Sequence, residues 1–208
     1  MEVRLGSLLR DAQEAQGTAI IIDVFRAFTT AAIAFDRGAE RIILVAEVEE
    51  ALALQRCGVG DILMGEVAGA KPDGFDFGNS PHEIFETDGA NLAGKTIVQS
   101  TRAGTVGVAA ASQAQKIYLG SLVVAQATVD AIRDENPELV SIVAMGDQAE
   151  IRNDEDEHCG LFLRNLLEGR RPDGFAVARL IMDDPPDCRE RLGVRAHRSL
   201  QATSARPA

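Results

Sequence analysis

Asp23, Arg26, Thr29 and Thr30 fall within eight residues of one another, and together they offer the chemistry of a phosphate and metal site. A carboxylate is a ligand for a hard cation. A guanidinium takes two phosphate oxygens at once. Hydroxyls at a helix start add donors to the N–H groups left free there. The competing roles are an N-cap or turn for Asp23, and back-bonding to the preceding helical turn for the threonines. The elements around these residues favour the site. Ala19 to Ile22 is an apolar run that stops at Asp23, the pattern of a strand buried on both faces, and an apolar helical spacing follows over Ala27–Asp36. Such a junction puts the carboxylate at the C-terminal edge of a parallel sheet, where open α/β sheets bind ligands.

Other acids could join it. On a helix expected over Glu155–Leu167, the apolar stripe is Cys159, Phe162, Leu163 and Leu166. Glu155 lies one turn before Cys159 on that face and Asp156 on its flank, while Asp154 and Glu157 point elsewhere. Any carboxylate is welcome in a first helical turn. One on the core-facing stripe needs a partner or a metal. Glu66 and Asp76 sit on a long connection, residues 66–80, after a strand expected at Ile62–Gly65. With Asp23 and Glu155 or Asp156 they make an oxygen-only ligand set suited to Mg²⁺. Gly78-Asn79-Ser80 can bend into an anion nest. Ser80 is better explained by the capping box Ser80-Pro81-His82-Glu83, which starts a short helix over 81–87. His82, His158 and His197 have no metal spacing. No GxSxG, P-loop or GxGxxG pattern is present.

The elements that must carry these residues alternate. Strands are expected at Val3–Leu5, Ala19–Val24, Arg41–Ala46, Ile62–Gly65, Lys95–Ser100, Lys116–Leu119 and Val140–Met145. Helices are expected at Ala27–Asp36 (buried stripe Phe28, Ala31, Ala32 and Phe35, with Gly38 after the end), Glu49–Arg56, 81–87, about 105–113, 124–134 behind a Ser121 cap, Glu155–Leu167 and 173–183. Residues 7–17 read as loop or irregular helix. The pattern implies a three-layer α/β/α sandwich with a largely parallel or mixed sheet. It implies one compact domain over 1–195, in one body or two intertwined subdomains, and a flexible tail over 196–208.

Composition narrows the partners. The 208 residues carry a net charge of −11, which argues against nucleic acid or an anionic membrane. An acidic protein that handles an anion needs local cations, which gives Arg26 weight. Cys57, Cys159 and Cys188 are few and scattered, as expected for reduced, mostly buried thiols in the cytoplasm. No leader or membrane-spanning run is apparent.

Several stretches together resemble the 2-phosphosulfolactate phosphatase family, Mg²⁺-dependent acid phosphatases of the coenzyme M pathway. They are Ile22-Asp23-Val24-Phe25-Arg26-Ala27-Phe28-Thr29-Thr30, Gly65-Glu66, Gly74-Phe75-Asp76-Phe77-Gly78-Asn79-Ser80-Pro81, Thr101 with Gly104-Thr105, Gly120-Ser121, and Glu155-Asp156 with Cys159-Gly160. The resemblance spans about residues 1–195 and implies an α/β/α fold and hydrolysis of a phosphate ester on a small sulfonated acid. Two segments depart from the family pattern. Thr101-Arg102-Ala103-Gly104-Thr105 stands for Thr-Thr-Asn-Gly-Thr, trading an amide for a guanidinium, and Ala144-Met145-Gly146 stands for Cys-Ala-Gly.

The expectation is a Mg²⁺-dependent phosphatase for a small phosphorylated acid. Asp23, Glu66, Asp76 and Asp156 are the metal ligands, and Asp23, Arg26 and Glu155 the catalytic groups. Thr29, Thr30, Asn79, Ser80, Thr101, Arg102, Gly104 and Thr105 bind substrate. A homodimer is compatible with this. The alternatives are a binding module that lost turnover and a lyase or isomerase using the same pocket.

Overall fold

The structure is a computed structural model that describes residues 1–182. Cys188, His197 and the tail over 196–208 lie outside the described residues. Four parallel strands form one sheet: β1 (Glu2–Ser7), β2 (Gly17–Ile22), β6 (Ala114–Gly120) and β7 (Leu139–Ala144), in the order β1-β7-β2-β6. Three more form a second: β3 (Arg41–Val45), β4 (Ile62–Gly65) and β5 (Thr96–Ser100), in the order β3-β5-β4. The helices are α1 (Leu8–Gln13), α2 (Ala27–Asp36), α3 (Val48–Arg56), α4 (Pro81–Glu86), α5 (Gly104–Ala110), α6 (Ala125–Glu135), α7 (Asp154–Leu167) and α8 (Gly174–Met182).

The three-layer α/β/α arrangement follows from central strands with no polar face. In β2, Ala19 and Ile21 pack with Ala12 of α1, Ala27 and Phe28 of α2, and Ala111. Ile20 and Ile22 point the other way, onto Val129 and Ile132 of α6 and Cys159 and Leu163 of α7. All four strand residues are fully buried. Burying one isoleucine is worth roughly 1.5–3 kcal/mol, so this strand anchors the sheet. The second sheet is treated likewise: Met64 and Ile97 face Ala34, Ile84 and Leu92, and Leu63 and Val98 face Ala51 of α3 and Phe75.

One helix belongs to both sheets. α2 begins against the first (Ala27, Phe28) and ends against the second (Ala34). Small side chains face two layers here, so the buried set is Ala27, Phe28, Thr30, Ala31 and Ala34. Phe35, expected in the stripe, is 47% exposed.

Other expectations are corrected. The strand pairs are parallel, as expected, but they divide between two sheets rather than joining in one. Of the two readings of 7–17, loop or irregular helix, residues 8–13 take the helical one. Ser121 makes no side-chain cap; a 3-10 turn, Leu122–Val124, leads into α6 instead. Cys57 is exposed, whereas Cys159 is buried. The connection over 66–80 is partly strand-like, because Phe77 pairs in parallel with Met64 along the free edge of β4.

Candidate active site

Asp23 is the first residue after β2, and its own N–H continues the ladder to the Gly120 carbonyl at 3.3 Å. Its side chain ties the two sheets together. Oδ1 accepts from the Ala27 N–H at the start of α2 (3.0 Å), and Oδ2 accepts from the Gly104 N–H at the start of α5, which follows β5 (2.8 Å). The carboxylate thus sits where the C-terminal edges of both sheets meet, and it is 7% exposed. Gly104 allows this approach: a Cβ there would stand 2.9 Å from Asp23 Oδ2 and 2.8 Å from Phe28 Cζ.

Burial pushes the Asp23 carboxyl up from its ordinary 3.8 to about 6. The N–H groups of Ala27 and Gly104 oppose the shift, the Glu66 charge adds to it and the Arg26 charge opposes it. The fields of Glu66, at the end of β4, and of Arg26, at the start of α2, therefore reach Asp23. Glu66 leaves β4 with its N–H on the Ser100 carbonyl (3.0 Å) and its Oε2 on the Gly69 N–H (2.6 Å). Arg26, half-buried, makes no ion pair among the described residues.

Asp156 closes the floor. It is 1% exposed, and its Oδ1 and Oδ2 accept from Val24 N (2.7 Å) and Gly146 N (2.9 Å). Burial and the Asp23 charge hold its carboxyl well above the usual carboxylate range. The first turn of α7 delivers it, with Asn153 Oδ1 capping the Asp156 N–H at 3.1 Å. Neither Asn153 nor the Gly146 amide figured in the sequence reading. An Asn ahead of four acids and a Gly at a strand exit are the sequence signals for them; Gly146 takes φ +65° in the structure. Glu155 is buried beside Asp156 in that turn.

The remaining expected residues divide. Thr29 Oγ donates to the Val24 carbonyl (2.8 Å) and Thr30 Oγ to the Arg26 carbonyl (2.8 Å), so both hydroxyl protons brace the turn instead of facing an anion. Thr105 Oγ donates to the Thr101 carbonyl (2.5 Å) and accepts from Thr101 N (3.3 Å) and Thr101 Oγ (3.4 Å), which makes this pair a brace for the β5–α5 loop. Asp76 does not reach the cleft. Its Oδ2 accepts from Leu63 N (2.8 Å) and Gln55 Nε2 (3.3 Å), because residues 76–77 run beside β4 and turn its carboxylate toward α3. Ser80 is the α4 cap, with Oγ accepting from Glu83 N at 3.3 Å; the Glu83 carboxylate reaches Gly78 N (2.9 Å) rather than closing the box. Asn79, carried past the end of β4 toward the edge where Glu66 lies, is 6% exposed, and its Oδ1 has no partner among the described residues. Arg102 is exposed, two residues before Gly104.

A pH effect on stability follows. Asp23 binds its proton more tightly folded than unfolded, so its contribution is full below pH 3.8 and is lost as pH rises through about 6. The loss is on the order of 2 kcal/mol. Thermal melts of metal-free protein between pH 4 and 7 should fall more steeply for the wild type than for Asp23→Asn, which cannot ionise; parallel curves would refute the shift.

A family model described as 2-phosphosulpholactate phosphatase matches residues 7–201. A Thermus thermophilus protein named "Probable 2-phosphosulfolactate phosphatase" is 36% identical over 181 residues, 85% of this chain and 74% of its own. Proteins with the same name from Caldicellulosiruptor saccharolyticus and Carboxydothermus hydrogenoformans are 35% and 32% identical, over 76% and 81% of this chain and 65% and 70% of theirs. No helix among the described residues is long and apolar enough to cross a membrane.

Proposed function

The chain belongs to the 2-phosphosulpholactate phosphatase family, and from that premise we propose that it hydrolyses the phosphate ester of a small acid such as 2-phosphosulfolactate, with Mg²⁺ at Asp23 and Glu66. The observation that carries the reading is the Asp23 carboxylate, buried at the meeting of two sheet edges and raised further by Glu66. Two acids that repel one another there are a place where a cation relieves the cost.

No three His, Cys, Asp or Glu side chains form a ready cage among the described residues. Mg²⁺ can be held by one or two carboxylates, with water and substrate phosphate completing its shell. When bound, Mg²⁺ would neutralise phosphoryl charge and orient the attacking water.

The protein's own groups do the rest. Ala27 N and Gly104 N fix both oxygens of Asp23, so its remaining lone pairs keep one direction. Arg26 offers a guanidinium to the phosphoryl oxygens, and the first turn of α2 adds a favourable dipole. Asn79 supplies an amide on the β4 side, and Arg102 stands at the rim for a second acidic group. Phosphoryl transfer asks mainly for positioning and charge stabilisation, which this set provides.

The test is phosphate release from 2-phosphosulfolactate and other phosphorylated hydroxy acids, with Mg²⁺ and with excess EDTA. Release that needs the metal is expected. Full release in EDTA would overturn the metal assignment. Conversion without free phosphate, seen by NMR, would mark a lyase or isomerase, and binding without any product would mark a module without turnover.

A further inference from the structure

Gln99 is the fourth residue of β5, between Val98 and Ser100, and it is completely buried. Strand alternation puts it on the face of Ile97, the side that packs against α2. Apolar residues fill that face, yet Gln99 brings an amide. Its Nε2 donates to the Ala27 carbonyl at 2.9 Å, and its Oε1 has no partner among the described residues. A buried carbonyl without a donor is destabilising, and a methionine would fill the same length without it. Stability alone therefore does not account for an amide at this position.

Its geometry does. Gln99 grips the carbonyl of Ala27, the residue whose N–H donates to Asp23 Oδ1 at 3.0 Å. The second sheet thereby holds the carbonyl end of the first residue of α2, whose N–H end meets one oxygen of Asp23 at the edge of the first sheet. Gly104 N, at the start of α5 just after β5, holds the other oxygen. The β5–α5 segment thus bears on Asp23 twice, directly through the Gly104 N–H and, by way of Ala27, through the Gln99 side chain.

We propose that Gln99 is a positioning residue for the reaction: by clamping Ala27 it sets the direction in which the Asp23 carboxylate faces the substrate. This rests on the reading of Asp23 given above. It requires no contact between Gln99 and substrate, only that the first turn of α2 stay in register with the end of β5.

The test is Gln99→Met, with Gln99→Leu as a second apolar variant should the first not fold. Phosphate release from 2-phosphosulfolactate with Mg²⁺ gives kcat and KM, thermal melts give stability, and hydrogen exchange at the Ala27 amide reports the clamp. The expected result is an unchanged or raised melting temperature, kcat at least about tenfold lower, KM within about threefold, and Ala27 exchange at least about tenfold faster. An unchanged kcat, or a lower kcat with Ala27 exchange unchanged, would overturn the proposal. Should the wild type release no phosphate at all, the phosphatase reading fails by itself. Ala27 exchange then decides whether Gln99 is a clamp: unchanged exchange rejects it, faster exchange upholds it.

Discussion

Asp23→Asn should lower phosphate release by about 10³-fold or more while leaving the protein folded. The asparagine keeps one oxygen, so it can still accept from either Ala27 N or Gly104 N, and it loses the other bond. That loss costs about 1–2 kcal/mol. Removing the charge offsets part of it at neutral pH, because the folded protein holds Asp23 with a carboxyl near 6. The charge is what the reaction would miss: the amide is a poor partner for Mg²⁺ and does not complement Arg26. Phosphate release beside a thermal melt checks both halves. A folded variant that keeps a tenth or more of the activity would contradict the role given to Asp23.

Asp156→Ala should destabilise the protein by roughly 2–5 kcal/mol, the largest stability effect expected in the site. Both carboxylate oxygens accept from buried N–H groups, of Val24 and Gly146, and alanine leaves both without acceptors. Val24 belongs to the turn between Asp23 and Arg26, so activity should fall along with stability. Asp156→Asn separates this account from the ligand role expected from sequence. It retains one acceptor, and by the present geometry it should bind Mg²⁺ within about threefold of the wild type. A loss of Mg²⁺ affinity as large as that of Asp23→Asn would make Asp156 a ligand after all.

The position of Asp23 was legible because it depends on local pattern. An uninterrupted apolar strand must be buried on both faces, and an acid at its end, followed by a helix, has one place to go. The Ser80 cap was legible for the same reason, with Pro81 and Glu83 at fixed offsets. The two sheets were not. Each strand announces that it is buried, but strand order is set by partners far away in the chain, such as β2 beside β7. Phe35 misled because a helical stripe assumes one buried side, whereas α2 is wedged between two layers. The hydrogen bonds of Asp76, Thr29, Thr30 and Thr105 are ones that spacing cannot foresee: Asp76 depends on how the 66–80 connection lies along β4, and each of these threonines on the carbonyl its turn brings near. Gln99 carried a visible signal, a lone amide in an otherwise apolar strand core, whose meaning needed the opposing helix.

The central claim is that carboxylates from two sheet edges, Asp23 and Glu66, hold one Mg²⁺ against a phosphoryl group. Calorimetric titration of Mg²⁺ into the wild type, Asp23→Asn, Glu66→Gln and Asp76→Asn tests it most directly. The account predicts one site in the wild type and in Asp76→Asn, with affinity at least about tenfold weaker in each of the other two. Equal Mg²⁺ affinity in the wild type, Asp23→Asn and Glu66→Gln would contradict it.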